Sequence, residues 1–458
     1  MKLVKNKYFY YNVLAITVPL MLQNLISFAA KMVDTLMLGR ADDTGALLSA
    51  SHLANQPFFL MFIVIFGVAG AGSVLASQYW GKKNIEAIKI IFAIILRISI
   101  IFSAVFSAAI LLFPRGIMSL FTKRPEIIES GAEYLSIVGW AYVLFAVSMA
   151  LICSLRSVEI VRISVAVSLV TLFISAGLNY LLIFGNFGFP ALGIRGAAIS
   201  TLIARIAEFI LVIVFVFLIE KRVKFRPRDI FKRNKQLFKD LMKHGSPVIL
   251  NEVFWALGIT IQAAVIGHIA YSAGDPVAAN TIAGVVQQFA TVLMFGIANA
   301  ATVLIGKSVG EGDLKGVQLK ANTFKLIALL AGLSACGVIL LIRDIAVNFY
   351  SFDAETSQLA RELLVITAIS VIFISFASIY IVGVLRGSGD TKFCLWLEII
   401  ALWGFSLPLA AFCAVVLQLP VPFVLLAMRS DEAVKTVVCT IRLNGKKWIK
   451  SLARESIN

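Results

Sequence analysis

The order of residues in the first half of the chain returns in the second. Pro19, Gly39, Ala50, Ala54, Gly67, Ala69, Gly81, Leu155 and Arg156 recur as Pro247, Gly267, Ala279, Ala283, Gly296, Ala298, Gly310, Leu385 and Arg386, at an offset of 228 to 230 residues. Both copies lie in strongly apolar sequence. Such a pattern predicts two membrane bundles related by a repeat, with a substrate site where the copies face each other.

Hydrophobic residues make up 60% of the 458 and charged ones only 14%, more apolar surface than a soluble chain of this length can bury. Residues 163–185 and 363–385 carry no charge, and each has the ~20 residues a helix needs to cross the hydrocarbon core. Continuous apolar runs exclude a barrel, whose strands alternate polar and apolar side chains. The expected fold is therefore an all-α polytopic membrane protein. About twelve spans are predicted, near residues 11–38, 47–78, 89–113, 132–153, 163–185, 192–218, 245–270, 277–307, 320–341, 363–385, 393–416 and 419–440. The last is the weakest, because only a short apolar stretch follows Pro420 and Pro422 before Arg429, Asp431, Glu432 and Lys435. This divides the chain into a six-helix lobe (1–219), a basic cytoplasmic linker (220–244), a second six-helix lobe (245–441) and a cytoplasmic tail (442–458).

The net charge of +16 reads as topology bias rather than as a nucleic-acid surface, which needs a soluble basic face. Lys2, Lys5, Lys7, Lys82, Lys83, Arg156, Arg162, the 221–243 segment, Arg386, Lys392 and the tail lysines fall on one side of the spans. The positive-inside rule makes that side cytoplasmic, termini included, and the expected location is the plasma (inner) membrane. The opposite loops are mixed in charge, with Arg40, Asp42 and Asp43 in one and Arg343, Asp344, Asp353 and Glu355 in another. The first apolar run is too long for a removed signal and lacks a cleavage site, so it is read as the first span. Five scattered cysteines and three distant histidines give neither a disulfide framework nor a metal spacing. In the linker, Phe231, Leu237, Leu241 and Met242 among basic residues fit an amphipathic helix on anionic headgroups, or equally a solvated connector.

Several segments carry a resemblance. The Lys31–Gly39 run KMVDTLMLG, the Gln78–Lys83 run QYWGKK, the Asn179–Gly185 run NYLLIFG, the Leu385–Asp390 run LRGSGD and the tail Gly445-Lys446-Lys447-Trp448 occur in order along nearly the whole chain. Together they make it similar to the multidrug and toxic compound extrusion (MATE) transporters. The resemblance implies two six-helix lobes forming a V-shaped cavity, alternating access, and efflux of cationic or amphipathic compounds driven by inward H⁺ or Na⁺. It implies no cofactor beyond the coupling ion, small-molecule substrates and lipid as partners, and a monomer.

Asp34 supports a coupling role on physical grounds. A carboxylate inside a span costs at least ~2.5–3.5 kcal/mol on insertion scales, so it is paired, protonated or functional. Lys31, one turn earlier on the same helix face, is a candidate partner. The resemblance places Asn179 of the fifth span beside Asp34. Ser175 stands one turn before it, where many relatives have Asn; a hydroxyl reaches less far, and a bond within the bundle is the simpler reading. In the second lobe Gln262 occupies the repeat position of Asp34, which removes the duplicate carboxylate. Glu252, beside Asn251, becomes that lobe's acid, and in some branches of the family an acid here binds cation or drug; a contact with Asn251 or a neighbouring helix is an equal alternative. Sodium-using branches also carry an acid in the tenth span, whereas 365–385 has none, so H⁺ is preferred to Na⁺.

Arg205 and Glu208 sit three residues apart on the sixth span and can neutralise each other, while Arg97 lies deep in the third without an evident partner. Pro19 and Pro247 read as helix starts or kinks, and Gly67, Gly70, Gly72 and Gly296 as close-packing positions in spans that rock lobe against lobe. Phe58, Phe59, Trp255, Phe289 and Phe295 are candidates to floor an apolar cavity. Two rivals remain. A lipid-linked saccharide flippase of the same superfamily needs several cavity cations for its pyrophosphate, which Arg97 and Arg205 would have to supply. A membrane enzyme or receptor needs a catalytic constellation or extramembrane domain, and neither is visible. No phosphate-binding Gly-rich loop followed by Lys and Ser or Thr occurs, which leaves an ion gradient as the energy source.

Overall fold

The computed structural model describes residues 2–41, 45–269, 272, 274–349, 352–445 and 447–454. Asp42, Asp43 and Lys446 fall outside them. The described residues form helices and turns, with no strand among them. A bilayer core offers no water to backbone N–H and C=O groups, and a helix satisfies them within its own segment.

Among the described residues, ten helices are long and apolar enough to cross a membrane. They are α1 (Lys7–Ala41), α2 (Ala46–Gly81), α3 (Ile85–Leu112), α7 (Arg162–Leu182), α8 (Ile194–Ile219), α9 (Lys235–Gly267), α10 (Pro276–Gly310), α11 (Leu314–Asn348), α12 (Ala354–Leu385) and α13 (Thr391–Val416). The short α4 (Pro114–Ser119) precedes α5 (Pro125–Val138) and α6 (Ala141–Arg156), and α5 and α6 meet at a 54° bend. The single fourth span expected over 132–153 is thus a bent pair, broken at Gly139 and Trp140. The twelfth, expected over 419–440, is also broken, into α14 (Val421–Met428) and α15 (Ser430–Asn444). Pro420 and Pro422 begin the first piece, and the charges from Arg429 onward occupy the second.

Two compact units emerge. One contains Leu22–Ala76 and Ile85–Leu241; the other contains Met1–Met21, Ser77–Asn84 and Met242–Asn458. These units depart from the 1–219 and 245–441 division in three places. The start of α1 and the 77–84 segment go with the second unit, and the linker up to Leu241 goes with the first.

The linker is largely exposed but anchored at several points. Leu237 and Leu241 are buried while Phe231 is exposed, and α9 already starts at Lys235. Lys232 bridges Glu86 at 2.6 Å and Asp229 at 2.9 Å; hydrogen bonds to these two carboxylates hold its ammonium above the usual lysine range. Arg97, without a partner in the sequence, donates to the carbonyls of Lys232 at 3.0 Å and Ala93 at 3.1 Å.

Pro19 and Pro247 do not start helices. Each lies twelve residues after its helix begins, at Lys7 and at Lys235, so the repeat preserves a mid-helix break in backbone hydrogen bonding. In the second unit α10, α11 and α12 start on aspartate caps, Asp275, Asp313 and Asp353, whose carboxylates accept first-turn N–H groups at 2.8–3.0 Å. Each satisfies donors that the helix leaves open.

The repeated glycines have a packing cause in that unit. A Cβ on Gly81 would strike the carbonyl of Lys307, and one on Gly310 would strike the carbonyl of Gln78. Gln78 and Lys307 are themselves repeat equivalents at the 229-residue offset, so the same contact is made twice with the copies exchanged. The C-terminal segment packs beside this crossing. The backbone N–H of Leu452 donates to Gln78 Oε1 at 2.7 Å, Lys450 pairs with Asp390 at 2.5 Å, and Trp448 is fully buried. Three of the sequence motifs, around Gln78, Asp390 and Trp448, thus form one structural knot.

Candidate ion-coupling site

In the first unit α1 brings Asp34 against α7. Asn179 Nδ2 donates to Asp34 Oδ1 at 2.5 Å, and Ser175 Oγ donates to the same oxygen at 3.2 Å. One turn of helix separates the two donors, which is why both reach one carboxylate. Ser175 therefore does reach Asp34, against the simpler reading of it. Lys31 does not join them. It is exposed, and its carbonyl accepts from Thr35 Oγ1 at 2.8 Å.

The same unit has an apolar, aromatic core. Tyr134, Tyr142 and Phe145 belong to a buried cluster with Met61, Ile65 and Ala198, and Phe58 packs on Tyr142 and Phe145 at ring separations of 5.4 and 4.8 Å. Phe58 is thus half-buried against the core, whereas Phe59, Trp255, Phe289 and Phe295 are exposed. The Tyr134 side chain hydrogen-bonds with those of Thr201 and Asn55. Arg205 lies 4.9 Å over the Phe145 ring and pairs with Glu208 at 2.5 Å, as their spacing predicts.

Asn179 has one further property. Its Oδ1 is buried and has no hydrogen-bond partner among the described residues. An amide offers both a donor and an acceptor, so Asn179 can donate to an ionised Asp34 and, after rotation, accept from a protonated one. A buried acceptor left idle costs about 1–3 kcal/mol, and protonation of its neighbour would relieve that cost.

The second unit holds its acids differently. Glu252 accepts from Arg386 Nη1 at 2.5 Å, and Arg386 Nη2 donates to Asn251 Oδ1. Glu252 and Asn251 are thus brought together by the buried guanidinium of Arg386, a residue the sequence assigns only to the cytoplasmic side of the spans. Gln262 is not with them; its Nε2 donates to the carbonyl of Met428 at 3.2 Å, where α14 ends. A second buried cluster was missed altogether. Lys435 Nζ contacts Glu398 at 2.9 Å and Asp431 at 2.8 Å, with Glu432 at 3.7 Å. The signal for it was Glu398, a lone carboxylate in an otherwise uncharged span.

The MatE family profile matches the chain twice, over residues 19–181 and 247–412. The chain belongs to the MatE family. The two matches begin 228 residues apart, so the family unit is the internal repeat itself. Among curated MATE relatives, the chain is 29% identical over 423 residues to "Probable multidrug resistance protein NorM" of Rhizobium meliloti, covering 89% of this chain and 86% of that one. It is 23% identical to "Multidrug resistance protein PmpM" of Pseudomonas aeruginosa, covering 86% and 82%. Among solved structures, the fold matches the "eukaryotic MATE transporter AtDTX14" with a TM-score of 0.83 at 17% identity, over 97% of each chain. As a MATE protein the chain is a multi-pass membrane transporter and not an enzyme.

Proposed function

We propose that this MATE protein exports cationic or amphipathic small molecules by exchange with inward H⁺, and that Asp34 carries the proton. The multidrug resistance proteins among its relatives support the substrate class. The proton assignment rests on one observation. Asp34 takes two side-chain donors on one oxygen, and the nearest amide keeps an idle buried acceptor. That arrangement serves a carboxyl that alternates between charged and neutral. The flippase alternative is less favoured, because Arg97 is bound to the linker carbonyl and Arg205 to Glu208. We further assign two six-helix lobes that alternate access as a single chain, in the plasma (inner) membrane with both termini cytoplasmic, from the distribution of lysine and arginine.

Everted vesicles test this reading. Addition of ethidium to vesicles holding a proton gradient should partly dissipate it, and Asp34→Asn, fixed in a neutral hydrogen-bonding form, should abolish both that response and gradient-driven transport at matched expression. Transport that follows a Na⁺ gradient with no proton response would overturn the ion assignment.

A further inference from the structure

Beyond α15 the chain stops being helical, and residues 447–454 run as a strap between two segments, the end of α2 and the turn 386–390 that leads into α13. The bonds divide along its length. The first part holds the turn. Ser388 Oγ donates to the Trp448 carbonyl at 3.0 Å, the Lys450 N–H donates to the Ser388 carbonyl at 2.9 Å, and Lys450 Nζ pairs with Asp390 at 2.5 Å. Gly389 lets the strap lie this close, since a Cβ there would stand 2.7 Å from the Lys450 carbonyl oxygen. The last part holds α2. The N–H groups of Leu452 and Ala453 donate to Gln78 Oε1 at 2.7 and 3.4 Å, that of Arg454 donates to the Tyr79 hydroxyl at 3.2 Å, and Lys82 Nζ donates to the Ala453 carbonyl at 2.8 Å. Gln78 Nε2 serves both segments, donating to the carbonyls of Gly387 and Lys450 at 3.3 Å each. Helix α2 comes from the first repeat and the turn from the second, so the strap joins the two copies.

We propose that residues 447–454 are a reversible clasp. The first part stays built into the second repeat, and the last part grips the end of α2 and lets it go when that helix moves during alternating access.

The two parts are fastened by different means. Trp448 is fully buried and donates its Nε1 to the Gly445 carbonyl at 2.9 Å. Asp390 is also fully buried, and besides Lys450 it accepts from Arg442 of α15 at 2.8 and 3.0 Å. Pulling the first part away would open a cavity and strip one of two cations from a buried carboxylate, both costly. In the gripping part Arg454 is exposed and Leu452 half-buried. Its hold consists of N–H groups and one ammonium, which water can replace bond for bond at a membrane face. Helix α2 itself is divided, with Ala46–Ala76 in one compact unit and its end in the other. A helix shared in this way must loosen one of its attachments whenever the units move, and the polar grip is the attachment that can be undone and remade.

The inference rests on the alternating-access reading of the function, and the test keeps the two apart. Full-length protein with Cys336→Ser is placed in proteoliposomes, the other four cysteines being buried. Ala453→Cys, buried beneath the grip, should react with a maleimide faster during ethidium/H⁺ exchange than at rest. In a second variant, Lys83→Cys/Arg454→Cys, both exposed positions are joined by a flexible bismaleimide that contains a disulfide. Joining them should stop exchange, and reduction of the linker should restore it. Equal labelling of Ala453→Cys in resting and exchanging protein, or full exchange by the joined protein, would overturn the clasp and leave the transport reading intact. A parent protein that folds but exchanges no ethidium for H⁺ would overturn the transport reading, and the clasp with it.

Discussion

Asn179 and Ser175 share one acceptor but contribute unequally. The amide bond to Asp34 is 2.5 Å and the hydroxyl bond 3.2 Å, and a hydrogen bond to a charged group is worth about 1.5–3 kcal/mol. Asn179→Ala should therefore slow ethidium efflux roughly 10- to 100-fold, and Ser175→Ala by less than about tenfold, both measured at matched membrane content. Glu252 belongs to a different problem. Its carboxylate neutralises Arg386, and both side chains are nearly buried. Glu252→Gln leaves a guanidinium without its counter-ion, which costs about 3–5 kcal/mol. Thermal unfolding in detergent should show a large loss of stability, while the protein that remains folded keeps its proton response through Asp34. A loss of proton response with unchanged stability would instead place coupling in the second unit. Asp34 was legible in the sequence because a lone carboxylate in an apolar run is conspicuous. Arg386 is legible as a charge but not as a partner, since Glu252 lies more than a hundred residues away.

At the level of the helix, the ends of the chain's spans were decided by where charge has to go. The final expected span could not remain one helix, because Arg429, Asp431, Glu432 and Lys435 would have faced lipid. Instead α14 stops at Met428 and α15 carries Lys435 against Glu398 of α13. Removing one member of such a cluster is far worse than removing it whole. Lys435→Met should lower folded yield severely, with a cost on the order of 3–5 kcal/mol, and adding Glu398→Leu and Asp431→Leu should recover much of it. Fluorescence-detected size-exclusion profiles of the variants would check this. No periodicity could have paired Glu398 with Lys435. Their separation of 37 residues is closed only when α13 and α15 pack.

Across the whole molecule the repeat acts through contact as well as through pattern. Gly81 and Gly310 each lie against the main chain of the other copy's equivalent segment, so a side chain at either would force the α2 and α10 ends apart. Gly177 in α7 meets nothing within 4 Å and offers the contrast. Gly310→Val should reduce folded protein sharply, whereas Gly177→Ala should be neutral or stabilising by up to about 1 kcal/mol; equal melting temperatures for the two variants would remove the packing explanation.

From sequence alone came the helical membrane class, the duplication, the resemblance to the family and a carboxylate, Asp34, alone in an apolar run. Each of these depends on local composition, spacing along one helix or order along the chain, which a linear string records directly. Tertiary structure decided that Arg97 holds the linker, that Ser175 reaches Asp34 while Lys31 does not, and that Glu252 is neutralised by Arg386. It also decided that the start of α1 and residues 77–84 belong with the second unit. Those outcomes depend on which helix faces which, and a buried charge takes whatever partner the packed fold brings within hydrogen-bonding distance, however far away that partner lies in the chain.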